Sequence, residues 1–235
     1  NIILSGAGAD STVIEAVDSH AVLADQVRAS TIRGFTLRGA GSYAVMIQRG
    51  SFVHVLDNVI TESGGGIEVY ESTGSVVGNT FIDFSDEDQY AVSCMNDSSP
   101  LITRNFIIRS DYGVMSYYES HPTITNNTIV GGRVGIEMRD FFDIKTSKPV
   151  ILNNIITEHA VGIRSLNGAE PRDMGYTLFW NNEQNYEDLS PAETDIEADP
   201  QFVDPDNDNF HLTAGSRAID TGTPVEHDDQ QTIYD

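Results

Sequence analysis

The chain has 235 residues, 39% of them hydrophobic, enough to bury a single elongated core. Its formal charge is −23, from 36 acidic residues against 13 basic ones, only two of them lysine; such a surface repels nucleic acid and anionic membranes, whose binding rests on clustered Lys and Arg. No apolar run reaches the roughly eighteen residues of a transmembrane helix, the single Cys94 excludes an internal disulfide, and the six histidines lack the spacing of a zinc site.

Residues 1–31 read as the first coils of a repeat. Asn1-Ile-Ile-Leu4 opens in what looks like a strand, without Met or the basic region of a signal peptide, as in a processed or truncated product. Regular coils then occupy 32–180. Six copies of one pattern follow each other: Ile32-Arg-Gly-Phe35-Thr-Leu37, Val55-Leu-Asp-Asn58-Val-Ile60, Val76-Val-Gly-Asn79-Thr-Phe81, Ile102-Thr-Arg-Asn105-Phe-Ile107, Ile124-Thr-Asn-Asn127-Thr-Ile129 and Ile151-Leu-Asn-Asn154-Ile-Ile156. Their register positions lie 23, 21, 26, 22 and 27 residues apart. Each copy is completed by a small residue and an aliphatic, from Ala44-Val45 to Gly162-Ile163. Short β-branched runs at this period, separated by Gly, Asn, Ser and Pro, predict an all-β solenoid, a right-handed parallel β-helix of about seven coils in one domain.

The Asn column, Asn58, Asn79, Asn105, Asn127 and Asn154, reads as structural: Asn tolerates left-handed backbone at a bend, and stacked amides bond coil to coil. Pro100, Pro122 and Pro149 each precede the aliphatic that opens the next coil, where a missing N–H is tolerable. Insertions become flanking loops; two stand out, 83–89 and 139–148. A weaker seventh coil is expected through Tyr176-Thr-Leu-Phe-Trp180, with Tyr176 in the Asn register. Residues 181–235 should form an irregular cap over the last open coil.

Ile124-Thr-Asn-Asn-Thr-Ile129 with Gly135-Ile136 resembles the repeat of right-handed parallel β-helix proteins, the pectate-lyase-like superfamily. Gly6-Ala-Gly-Ala-Asp-Ser-Thr-Val-Ile14 is similar to an early coil of that group, and Asp199 to Gly222 resembles the closing segment of its secreted members. The resemblance implies polysaccharide contact and a secreted or cell-surface location, with lyases, epimerases, hydrolases and non-enzymatic surface proteins all within the group.

In the repeat frame three columns should share one outward face: Met46, Glu68, Ser93, Met115, Glu137 and Arg164; Gln48, Tyr70, Met95, Tyr117, Arg139 and Leu166; Arg49, Glu71, Asn96, Tyr118, Asp140 and Asn167. Tyrosines that stack on sugars, with carboxylates and guanidinium groups that bond hydroxyls, make Glu68, Tyr70, Glu71, Tyr118, Glu137, Asp140 and Arg164 the expected substrate-binding set. Arg139 and Tyr117 are the expected charge-neutraliser and base of a uronate lyase. Glu68 and Glu137 stand three coils, about 14 Å, apart, too far for a glycosidase pair; Asp97 and Glu119, about 5 Å apart in adjacent turns, form the alternative pair. Glu137 and Arg164 are expected as a surface ion pair. Asp204, Asp206 and Asp208 have the alternating spacing of a calcium loop without its Gly and Glu. The leading reading is an extracellular protein that contacts polysaccharide, with β-elimination as its first candidate activity; an adhesin or repeat scaffold without turnover, and a hydrolase, are the rivals.

Overall fold

A computed structural model describes residues 2–141 and 147–224. Each coil lays down up to three short strands, and every strand pairs in parallel with its counterpart in the next coil. The first face has eight strands, from Ile3–Ser5 to Asp173–Gly175, which mark seven full turns. The second face runs from Val13–Glu15 through Thr80–Phe84 to Ile196–Glu197, and the third from Val22–Asp25 through Gly65–Tyr70 to Gln184–Glu187. In Thr128–Arg139 and Ile155–Leu166 the chain passes the corner between second and third faces without a break, so these two sheets merge there.

The repeat's aliphatics supply three inward columns, one per face. Ile32, Val55, Val76, Ile102, Ile124 and Ile151 line the first, Leu37, Ile60, Phe81, Ile107, Ile129 and Ile156 the second, and Val45, Ile67, Val92, Val114, Ile136 and Ile163 the third; all are buried in one continuous cluster. Each such side chain contributes about 1.5–3 kcal/mol by leaving water, and only stacking of coils buries it.

The Asn column is a buried ladder. Asn79 Oδ1 accepts from both the backbone N–H and Nδ2 of Asn58, each at 3.0 Å, and Asn105, Asn127 and Asn154 serve the preceding coil in the same way. The expected left-handed bend is present but falls one residue earlier: Asp57, Gly78, Arg104, Asn126 and Asn153 carry the positive φ, while the ladder residues do not. The amide's value is therefore its hydrogen bonding. The register of the seventh copy shifts correspondingly. Thr177, fully buried, continues the column and Tyr176 takes the left-handed position, because Leu178 pairs with Ile155. Thr177 N–H then bonds Asp195 Oδ1 at 2.9 Å, so an aspartate closes the ladder.

A second ladder stands at the corner between third and first faces: Ser51, Ser72, Ser98, Ser120 and Ser147 are all buried. Ser98 and Ser120 cap the carbonyls three residues back, and Ser72 Oγ accepts from Ser51 N–H at 3.1 Å. Each serine precedes the ladder asparagine by seven residues, so all length variation lies between an Asn and the next Ser. The three prolines sit just ahead of first-face strands, and the Pro100 and Pro122 carbonyls accept from the next coil's Thr123 and Val150.

Beyond Trp180, Tyr186 and Leu189 pack against the main core. Coiling continues through Gln184–Glu187 and Ile196–Glu197. The hairpin of Phe202–Asp204 and Asn209–Leu212 then folds back along the second face, where Phe210 packs on Ile108 and Val130. Arg109 clamps it by bonding Asp208 at 2.5 and 3.1 Å while also holding Asp83. Apolar outward residues on this face, Ile82, Phe106 and Ile108, draw the segment sideways. Among the described residues, the segment touches the second face and the Asn153 corner beside it.

Candidate functional site

Register on the third face places the outward columns where the repeat frame puts them. Glu68, Ser93, Met115, Glu137 and Arg164 are successive partners across five strands, as are Tyr70, Met95, Tyr117, Arg139 and Leu166. Strand alternation carries residues two apart to the same side, so Glu137 and Arg139 project together from Thr128–Arg139.

Glu137 is fully buried although it faces outward. Its carboxylate bonds Arg139 Nη2 at 2.7 Å and Arg164 Nη1 at 3.3 Å, and Arg164 Nε bonds Glu187 Oε2 at 2.5 Å. The expected surface pair is thus a sheltered chain of four charges, because neighbouring side chains cover the carboxylate. Burial works against the charge of Arg164, but Glu187 and Glu137 outweigh it and hold its pKa above the usual guanidinium value.

A tyrosine column not anticipated from the repeat frame stands beside these residues. Tyr90 stacks on Tyr112 with ring centroids 4.7 Å apart, and the Arg133 guanidinium lies 4.7 Å over the Tyr112 ring while bonding Asp88 and Asp111. Burial and the nearby Glu137 push the Tyr90 phenol up to about 12. Tyr43 completes the column by lying over Gly65, where an added Cβ would come within 2.6 Å of the ring. Burial, with the charge of Glu68, raises the pKa of its phenol. Burial raises the Glu68 pKa, opposed by His20 and by Tyr43. The signal was present in the chain: the residue just before the small–aliphatic pair is Tyr in three coils, Tyr43-Ala44, Tyr90-Ala91 and Tyr112-Gly113.

At the far edge of the face, Tyr70 accepts from Asn96 Nδ2 at 2.7 Å. Tyr117 and Tyr118 have centroids 6.3 Å apart, and Tyr118 meets the exposed Phe141 edge-on at 6.1 Å. Asp140 is buried, its Oδ1 accepting from Ser147 N–H at 2.8 Å. Glu71 is exposed on the rim. Asp97 and Glu119 also stand exposed there, each in a turn of two left-handed residues, 96–97 and 118–119. The rest of the second insertion, 142–146, lies outside the described residues.

The aspartates of the proposed calcium loop are not brought together. Asp204 Oδ2 accepts from Asn207 Nδ2 at 2.9 Å, Asp206 sits in the 3-10 turn Pro205–Asn207, and Asp208 is committed to Arg109. Among the described residues no three His, Cys, Asp or Glu side chains converge as metal ligands.

Three parallel sheets wound around one apolar interior define a parallel β-solenoid. The family model for the right-handed β-helix region matches residues 20–177, and the chain belongs to that family. No curated protein matches it.

Proposed function

We propose that the protein holds a polysaccharide along its third face, outside the cell or on its surface. The observation that carries this reading is the aromatic track: Tyr70 and Tyr117 occupy one outward column two strands apart, about 10 Å by strand spacing, with Tyr118 and Phe141 at its edge. Sugar C–H faces stack on such rings, and one strand spacing is close to the advance of one hexose along an extended chain.

Holding is favoured over cleaving. In β-elimination a cation must neutralise the uronate, and Arg139 already faces a buried carboxylate. Hydrolysis needs an acid sheltered from water, and both Asp97 and Glu119 are exposed. The protein then acts as an adhesin or envelope module whose ligand is a glycan. The test is a panel of soluble glycans, with calcium and with chelator, followed by calorimetry, ultraviolet absorbance of unsaturated ends and reducing-end assay. Binding without product, unchanged by chelator and weakened about tenfold or more by Tyr70→Ala with Tyr117→Ala, supports the reading. Unsaturated ends that vanish in Arg139→Ala would restore the lyase in its place.

A further inference from the structure

We infer that the glycan taken by the third face is uncharged. The inference rests on the polysaccharide reading above and names its ligand class.

Every guanidinium on this face is already compensated. Arg49 pairs with Asp25, Arg133 with Asp88 and Asp111, Arg139 with Glu137, and Arg164 with Glu137 and Glu187, four cations against five carboxylates. No lysine lies in the described third-face strands; Lys148 stands past the Ser147 corner, ahead of the first-face strand Val150–Leu152. Among the described residues of this face, a uronate unit entering here would find no free cation. It would also meet the exposed carboxylates Glu71, Asp97 and Glu119 along the rim of a chain whose formal charge is −23. Salt shortens the reach of that repulsion to about 10 Å at 0.1 M but leaves it at contact distance.

What the face does offer is neutral. Tyr70, Tyr117 and Tyr118 present rings and phenols, and Met95 lies between the first two. Rings and hydroxyls of this kind suit the C–H faces and hydroxyls of a neutral hexose chain.

The experiment compares a soluble neutral β-glucan and a mannan with polygalacturonate and with a glucosamine polymer, in chelator, at low and at high sodium chloride. At least one neutral chain is expected to bind about tenfold or more tighter than polygalacturonate, with an affinity that salt hardly moves. Glu187→Gln, which leaves Arg164 with less carboxylate, is expected to strengthen binding of polygalacturonate while leaving the neutral chain unaffected. Polygalacturonate binding as tight as any neutral chain, or glucosamine-polymer binding that salt abolishes with no neutral chain bound, overturns the inference and leaves the polysaccharide reading standing. No binding of any glycan overturns both.

Discussion

Glu137 and Arg139 lie two residues apart on one strand, both facing outward, and their side chains close a 2.7 Å ion pair even though the Glu137 carboxylate is fully buried. Removing one partner of a sheltered pair is far more costly than removing an exposed one, because the remaining charge is left without compensation. Glu137→Ala should lower unfolding free energy by roughly 3 kcal/mol, read from the denaturant midpoint. Glu15→Ala, which breaks an exposed pair with Arg38, should cost less than about 0.5 kcal/mol. Equal midpoints for the two variants would contradict the burial of Glu137.

The Asn ladder makes a second contrast. Asn105 Oδ1 satisfies two buried donors of Asn79, and its Nδ2 bonds the Val76 carbonyl and Asn127. Asn105→Ala strands these groups, and about 3 kcal/mol of destabilisation is expected, since each buried orphan costs about 1–3 kcal/mol. Asn126, exposed and left-handed at φ 55°, needs only its backbone conformation. Asn126→Gly should therefore leave thermal stability within a few degrees of the parent, and a large loss there would mean that its side chain matters.

That contrast separates what the chain disclosed from what it concealed. The inward aliphatics and the ladder asparagines repeat as residue types, so both columns and the outward register could be read directly. The left-handed positions could not, because Asp57, Gly78, Arg104 and Asn153 share a backbone angle and no chemistry. The serine ladder was legible, seven residues ahead of each asparagine, but hidden among the ordinary turn serines. Burial of Glu137 was out of reach: an outward position is normally wet, and only the crowding of Arg139, Arg164 and the tyrosines covers it. The hairpin's course along the second face likewise depends on Ile82, Phe106 and Ile108 facing outward, a pattern that an inward-looking repeat frame passes over.

The hairpin is held by apolar contact more than by charge. Arg109 and Asp208 are each roughly half exposed, so Asp208→Ala should cost under about 1 kcal/mol. Phe210 is buried against Ile108 and Val130, and Phe210→Ala should cost about 3 kcal/mol. Limited proteolysis should accordingly release the segment after Ile196–Glu197 from the Phe210 variant at concentrations that spare the parent and Asp208→Ala. Equal release from both variants would place the grip in the ion pair.

Acid should weaken the fold through His159. Its ring is buried at the corner where Gly132 pairs with it, neither nitrogen has a hydrogen-bond partner among the described residues, and burial lowers its pKa from 6.5 to about 4 against the opposing pull of the Ile129 and Gly132 backbone. Above pH 6.5 both native and unfolded states hold the ring neutral. Between about 6.5 and 4 the unfolded chain takes a proton that the native state refuses, so stability falls with pH by up to about 1.4 kcal/mol per unit and about 3 kcal/mol in all. Glu68 acts in the opposite sense: burial raises its pKa above 4.5, so its contribution is complete below 4.5 and is lost as pH rises through the native value. Urea midpoints measured from pH 7.5 to pH 4 should therefore decline in the parent and decline less in His159→Leu, whose unfolded chain has no imidazole to protonate. The readout is the slope rather than the starting stability, since leucine also changes the packing. A Glu68→Gln variant, deprived of the opposing contribution, should gain more stability than the parent as pH rises from 4.5. Slopes that coincide for the parent and His159→Leu would remove the buried imidazole from the account of acid sensitivity.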